Sequence, residues 1–167
     1  MTSADITALL LRWTENYDVF KTNLTSSFVA PNGAADLLRR IGASSHAQDI
    51  AITGSFAAVR LAPVAAPAML VAYVNEIDAT AKTFGLLAAD SGANVALLRP
   101  FDEVVWERSR VDAGVTYTSP SQVAMDCLTG NGRMPSEGEA LLAWMMENEP
   151  VWRAPALVEA LEERVEE

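Results

Sequence analysis

Three short apolar runs constrain this chain more than anything else in its sequence. Asp49–Thr53 (DIAIT) is strand-like, while Ala68–Val74 (AMLVAYV) and Asn94–Leu98 (NVALL) are continuous apolar strands of buried type. A strand with no wet face needs cover on both sides, so helices must pack on the sheet that holds these runs. The intervening segments supply them. Ser55 to Arg60 predicts a short helix, and Ile77 to Phe84 a longer one that ends at Gly85.

The flanks extend the same plan. Asp5 to Asn16 predicts a helix with Ile6, Leu9, Leu10 and Trp13 on its inner stripe. Tyr17 to Ala30 reads as one or two short strands before the Pro31-Asn32-Gly33 turn, and Ala34 to Ile41 as a helix stopped by Gly42. Val104–Arg108 and Val115–Thr118 read as an antiparallel pair about Val111-Asp112-Ala113-Gly114. The fold class is therefore α/β or α+β, a mixed sheet of about five or six strands with packed helices and a helical C-terminal third. Residues 1–167 read as one domain, with a mixed part over 1–135 and acidic helices over 136–167.

The last third is well punctuated. Ser119-Pro120-Ser121-Gln122 fits a capping box with proline at the first helical position. Ser136-Glu137-Gly138-Glu139 repeats the pattern and opens a helix with Leu141, Leu142, Met145 and Met146 inward, ending before Pro150. Pro155 starts a final helix whose stripe Leu157, Leu161, Val165 either packs on its own domain or supports a homodimer.

Composition narrows the function classes. A chain of 167 residues, half apolar, buries roughly 68–70% of its unfolded surface without disulfide staples. Its single cysteine, Cys127, excludes an internal disulfide and reads as a buried core thiol. One cysteine and one histidine, His46 in a polar loop, leave little for a zinc site or an imidazole-based triad, and no cofactor is implied. Of the net charge of −10, −7 falls in Ser136–Glu167, which holds nine acids and two arginines. The densest basic groups, Arg39-Arg40 and Arg108-Ser109-Arg110, are too sparse for direct DNA binding through phosphates. The Leu61–Val74 stretch is interrupted by Pro63 and Pro67 and is too short to span a membrane, and Asp5 sits where a signal peptide carries positive charge. A cytoplasmic location is expected.

Two readings attach to Thr53-Gly54-Ser55, a strand-to-helix turn. As a plain joint, Gly54 permits close backbone approach and Ser55 caps the helix, with Glu76 and Asp78 favoured by the dipole at the next helix start. As a site, the Gly54-Ser55 turn offers N–H groups to a phosphate while Glu76 and Asp78, with Asp102 or Glu103, hold Mg²⁺. The latter faintly resembles nucleotidyltransferases, although the acidic pair is Glu-x-Asp and lies 22 residues beyond Gly54.

A broader pattern runs through Ile52-Thr53-Gly54-Ser55-Phe56-Ala57-Ala58, Arg60, Pro63, Gly92-Ala93-Asn94-Val95 and Leu97-Leu98-Arg99-Pro100. It continues through Ser121–Leu128 (SQVAMDCL), Gly130-Asn131-Gly132-Arg133, Glu137 and Trp144-Met145. Together these resemble the C-terminal domain of the AbiEi-like antitoxins and transcriptional regulators of type IV toxin–antitoxin systems, in their actinobacterial form. The resemblance covers roughly Trp13 to Arg153. It implies a non-enzymatic regulatory domain, found beside a winged helix, whose protein partner is a nucleotidyltransferase-like toxin. The start of this chain offers no basic winged-helix segment, so DNA binding by the chain alone is not expected. Binding roles fall on Gly54, Ser55, Arg60, Arg99 and Arg133. Arg99 and Arg133 either grip a carboxylate or phosphate or pair with Asp126 inside the protein. Alternatives are a nucleotide-handling enzyme on Gly54, Ser55, Glu76 and Asp78, and a small-molecule sensor lined by Arg60, Arg99 and Trp106.

Overall fold

The computed structural model describes residues 3–153, so the helix expected from Pro155, with its Leu157, Leu161, Val165 stripe, lies outside the described residues. The elements in chain order are α1 (Ser3–Trp13), α2 (Val19–Thr22), β1 (Leu24–Val29), α3 (Ala34–Gly42), β2 (Ile50–Thr53), α4 (Ser55–Ala58), β3 (Leu70–Val74) and α5 (Ile77–Thr83). There follow β4 (Leu87–Ala88), β5 (Val95–Arg99), β6 (Arg110–Asp112), β7 (Val115–Tyr117), α6 (Pro120–Leu128), α7 (Met134–Glu147) and α8 (Glu149–Arg153). Short 3₁₀ turns occupy Ala47–Asp49 and Glu103–Trp106.

Among the described residues seven strands form one mixed sheet in the order β4-β1-β5-β3-β2-β7-β6. The three apolar runs become its centre. β3 lies parallel to β5, with Leu70 opposite Val95, and antiparallel to β2, with Thr53 opposite Val71. All five residues of β3 are fully buried. Side chains alternate along a strand. Thr53 and Tyr73 reach α6, so Ile50, Ile52, Leu70, Ala72 and Val74 face the other way. They too are buried, beneath α3, which packs on β3 and β7, and α5, which packs on β5. On the α6 side, α1, α4 and α7 gather around that helix. Both faces are covered, as the apolar runs require.

The β6–β7 hairpin turns at Ala113-Gly114, both with positive φ (48° and 77°), the conformation of a two-residue type I′ turn. A Cβ on Gly114 would lie 2.5 Å from the Gly42 carbonyl oxygen, so the turn sits directly on the end of α3. The antiparallel hairpin is as expected, but its first strand is Arg110–Asp112 and not Val104–Arg108. Asp102 accepts a hydrogen bond from the Val104 N–H at 2.9 Å and winds the chain into the 3₁₀ turn instead. The very short edge strand β4 carried no signal of its own, and Val19–Thr22, read as strand, forms α2 under an Asp18 cap.

The helical end differs from expectation in two places. Pro135 lets α7 begin at Met134, so Ser136 lies within its first turn and caps nothing. Met146 is 49% exposed, because Leu141, Leu142 and Met145 already fill the inner face. As expected, α7 stops before Pro150, at Glu147; Pro150 lies in the first turn of a further short helix, α8, which the Trp152 indole N–H ties to α7 by donating to the Met145 carbonyl at 2.7 Å. At the other end, α1 buries Leu10 yet leaves Leu9 and Trp13 exposed, so the expected four-residue stripe is only half used.

Candidate functional site

The strongest concentration of polar side chains lies inside the molecule. Asp126, in the apolar stretch of α6, is completely buried. Its Oδ1 accepts from the Tyr17 hydroxyl at 2.6 Å and the Gln122 amide at 2.9 Å, and its Oδ2 from the Thr53 hydroxyl at 2.6 Å and the Tyr73 hydroxyl at 2.8 Å. Tyr17 in turn accepts from the Asn23 amide at 3.2 Å, and the Asn23 carbonyl oxygen accepts from the Phe101 N–H. Burial pushes the Asp126 carboxyl up to about 6, against the pull of four donors toward the ionised form. The same burial, together with the carboxylate, pushes the hydroxyls of Tyr17 and Tyr73 and the thiol of Cys127 upward. A carboxyl near 6 has the acidity of a general acid–base catalyst. Here every acceptor position is already used and no surface is left to a substrate, so the cluster acts as a clamp joining α6 to β2, β3 and the α1–α2 connection. No arginine takes part. The expected pairing of Arg99 or Arg133 with Asp126 is therefore incorrect, because four neutral donors satisfy this carboxylate.

Beside the clamp, the Gly54-Ser55 turn is closed as well. Gly54 has φ 67° and ψ −149°, a backbone shape that glycine alone adopts readily, and a Cβ there would meet Met134 and Val71 at 3.3 Å. This agrees with Gly54 as a close-approach residue. Ser55 does not cap α4, however. Its hydroxyl donates to Glu137 Oε2 at 2.5 Å, and both side chains are buried. The capping pattern of the sequence thus conceals a tertiary bond between α4 and α7.

Glu76 and Asp78 lie elsewhere. β2 and β3 run antiparallel, so Gly54 follows the end of β2 that faces Leu70, whereas Glu76 follows the opposite end of β3. Six residues of extended chain separate these levels, roughly 20 Å at a strand's rise. The phosphate turn and the acidic pair expected of a nucleotidyltransferase are pulled apart. Asp102 caps its own turn, Glu103 is exposed, and among the described residues no three His, Cys, Asp or Glu side chains gather as metal ligands.

Neither a protein-family model, nor a curated protein, nor a solved structure matches this chain. Function must be read from the geometry.

The remaining cations are scattered. Arg60 pairs with Asp112 and lies over the Tyr117 ring, 3.9 Å from its centroid. Arg133 is exposed at the start of α7. Arg99 ends β5, three strand spacings or roughly 14 Å across the sheet from β7. Trp106 has a buried indole N–H with no hydrogen-bond partner among the described residues. The expected pocket of Arg60, Arg99 and Trp106 does not exist, because Arg60 is held by the β6–β7 hairpin.

Arg99 instead lines a cleft with the acidic pair. A cleft of about 240 Å³ at the carboxyl ends of β3 and β5 is lined by Leu24, Ser26, Asn75, Glu76, Ile77, Asp78 and Arg99. An adjoining cleft of about 270 Å³ shares Asn75 and Glu76 and adds His46, Asp49, Ile50, Ala79, Thr80, Thr83 and Phe84. Among the described residues no helix is long and apolar enough to cross a membrane.

Proposed function

We propose that this chain is a non-enzymatic regulatory or interaction domain of the antitoxin type it resembles, acting in the cytoplasm on a nucleotidyltransferase-like protein partner and reaching DNA only through a separate DNA-binding segment or subunit. The observation that carries this reading is the separation of the Gly54-Ser55 turn from Glu76 and Asp78 by roughly 20 Å, which leaves nucleotidyl transfer without an assembled centre. The strongly polar groups of the interior support it, since Asp126 spends its hydrogen bonds on Tyr17, Thr53, Tyr73 and Gln122, and Glu137 accepts from Ser55.

The test is co-expression with a nucleotidyltransferase-like toxin encoded beside it. Growth restored by the chain, with no transfer from labelled NTP to cellular RNA by the purified protein in Mg²⁺, is the expected result. Failure to restore growth together with an unchanged operon reporter overturns the antitoxin reading. Transfer that Glu76→Ala/Asp78→Ala abolishes would establish an enzyme instead.

A further inference from the structure

The open end of the sheet carries an arrangement that the antitoxin reading leaves unused. Leu24 and Arg99 are direct cross-strand partners on β1 and β5, and Ser26 lies two residues along from Leu24, so the three share a face at the mouth of the 240 Å³ cleft. Asn75, Glu76 and Asp78, leaving the end of β3, form the facing wall. Arg99 is exposed and forms no ion pair or hydrogen bond with a described residue. The side chains of Glu76 and Asp78 are likewise exposed and without an ion pair. Elsewhere on this molecule neighbouring opposite charges pair, as Asp36 does with Arg39 and Arg40. Here a guanidinium and two carboxylates line one small hollow and stay apart.

Electrostatics decides what such a hollow can accept. A simple anion on Arg99 meets two carboxylates, and a simple cation between those carboxylates meets the guanidinium. A dipolar molecule with its charges a few ångströms apart meets attraction at both ends. The planar fork of Arg99 matches a carboxylate, and Ser26 and Asn75 add hydroxyl and amide groups on either wall. The adjoining cleft, floored by Ile50, Ala79 and Phe84, lies directly across Asn75 and Glu76 and offers room for a side chain.

We propose that the cleft at the carboxyl ends of β3 and β5 binds a small zwitterion of the α-amino-acid class, its carboxylate on Arg99 and its ammonium on Glu76 and Asp78. This site stands independently of the antitoxin reading and of any partner.

The experiment is amide chemical-shift titration of the full chain with each common L-α-amino acid, with acetate and methylammonium as single-charge controls. At least one amino acid should produce saturable shifts at Asn75–Asp78 and Arg99, with a dissociation constant of roughly millimolar order. Neither control should saturate. Arg99→Ala and the double variant Glu76→Gln/Asp78→Asn, all at exposed positions, should keep the wild-type spectrum elsewhere and each weaken binding by about tenfold or more. Three results would overturn the proposal: no saturable shift with any amino acid, wild-type affinity in either variant, or acetate or methylammonium binding as tightly as the amino acid.

Discussion

The covered face of the central strands and their open end are opposites. On the α6 side of β2 and β3 polar groups are numerous but enclosed: Asp126 holds Thr53 and Tyr73, and beside them Glu137 holds Ser55. Where β3 and β5 end, Arg99, Glu76 and Asp78 line a cleft and form no ion pair with a described residue. Chemical potential alone does not mark a site. The carboxyl with the most shifted acidity, Asp126, is the one least able to meet a ligand, and the unremarkable surface charges are the ones free to do so.

The contrast should be sharpest in stability. Asp126→Ala leaves two tyrosines, Thr53 and Gln122 without their acceptor and should cost about 3–5 kcal/mol in urea unfolding. A cost under about 1 kcal/mol would mean that the clamp does not hold the fold.

The next effect is on pH. The folded Asp126 carboxyl lies near 6, above its ordinary 3.8, so between those values the folded chain holds a proton that the unfolded chain has released. Its contribution to stability is therefore lowest above pH 6, grows as pH falls from 6 to about 4, and is complete below that, with a span of about 3 kcal/mol. Asp126→Asn should remove this gain, seen as the difference between the urea midpoints of wild type and variant across that window. Parallel pH curves for the two proteins would contradict it.

Gly114→Ala, which drives a Cβ to within 2.5 Å of the Gly42 oxygen at a positive φ, should lower stability by about 2 kcal/mol. A thermal melt measures it, and an unshifted midpoint would mean that the turn can lift from α3. The smallest change belongs to the open end. Glu76→Gln/Asp78→Asn should alter unfolding free energy by no more than about 0.5 kcal/mol, since neither carboxylate pairs with a described residue. A larger loss would make these residues structural and erase the comparison.

Burial on both faces writes itself into composition, so β2, β3 and β5 could be read directly from DIAIT, AMLVAYV and NVALL. Local capping chemistry served for half of the expected box at Ser119-Pro120: the Ser119 hydroxyl accepts from the Gln122 N–H, while the Gln122 amide turns to Asp126 instead of reaching back to the cap. It misled at Ser136, because Pro135 moves the start of α7 to Met134 and leaves Ser136 inside the first turn. The clamp was hidden for a different reason. Tyr17 and Asp126 lie 109 residues apart, and only the assembled sheet brings them together. The one local hint was an aspartate four residues after Gln122, inside a run of apolar helix. Arg99, Glu76 and Asp78 were each visible as candidates, but their shared cleft depends on β3 and β5 running parallel, which no residue spacing encodes.

The edges of the sheet carry a final consequence. One border is β4, two residues long, and the other is β6, three residues long with Arg110 and Asp112 at its ends. A short, charged border such as β6 offers few free backbone groups to a neighbouring strand. On the other side β4 pairs with Phe28 and Val29 alone, so the Leu24 end of β1 is the stretch of border that a second strand could reach.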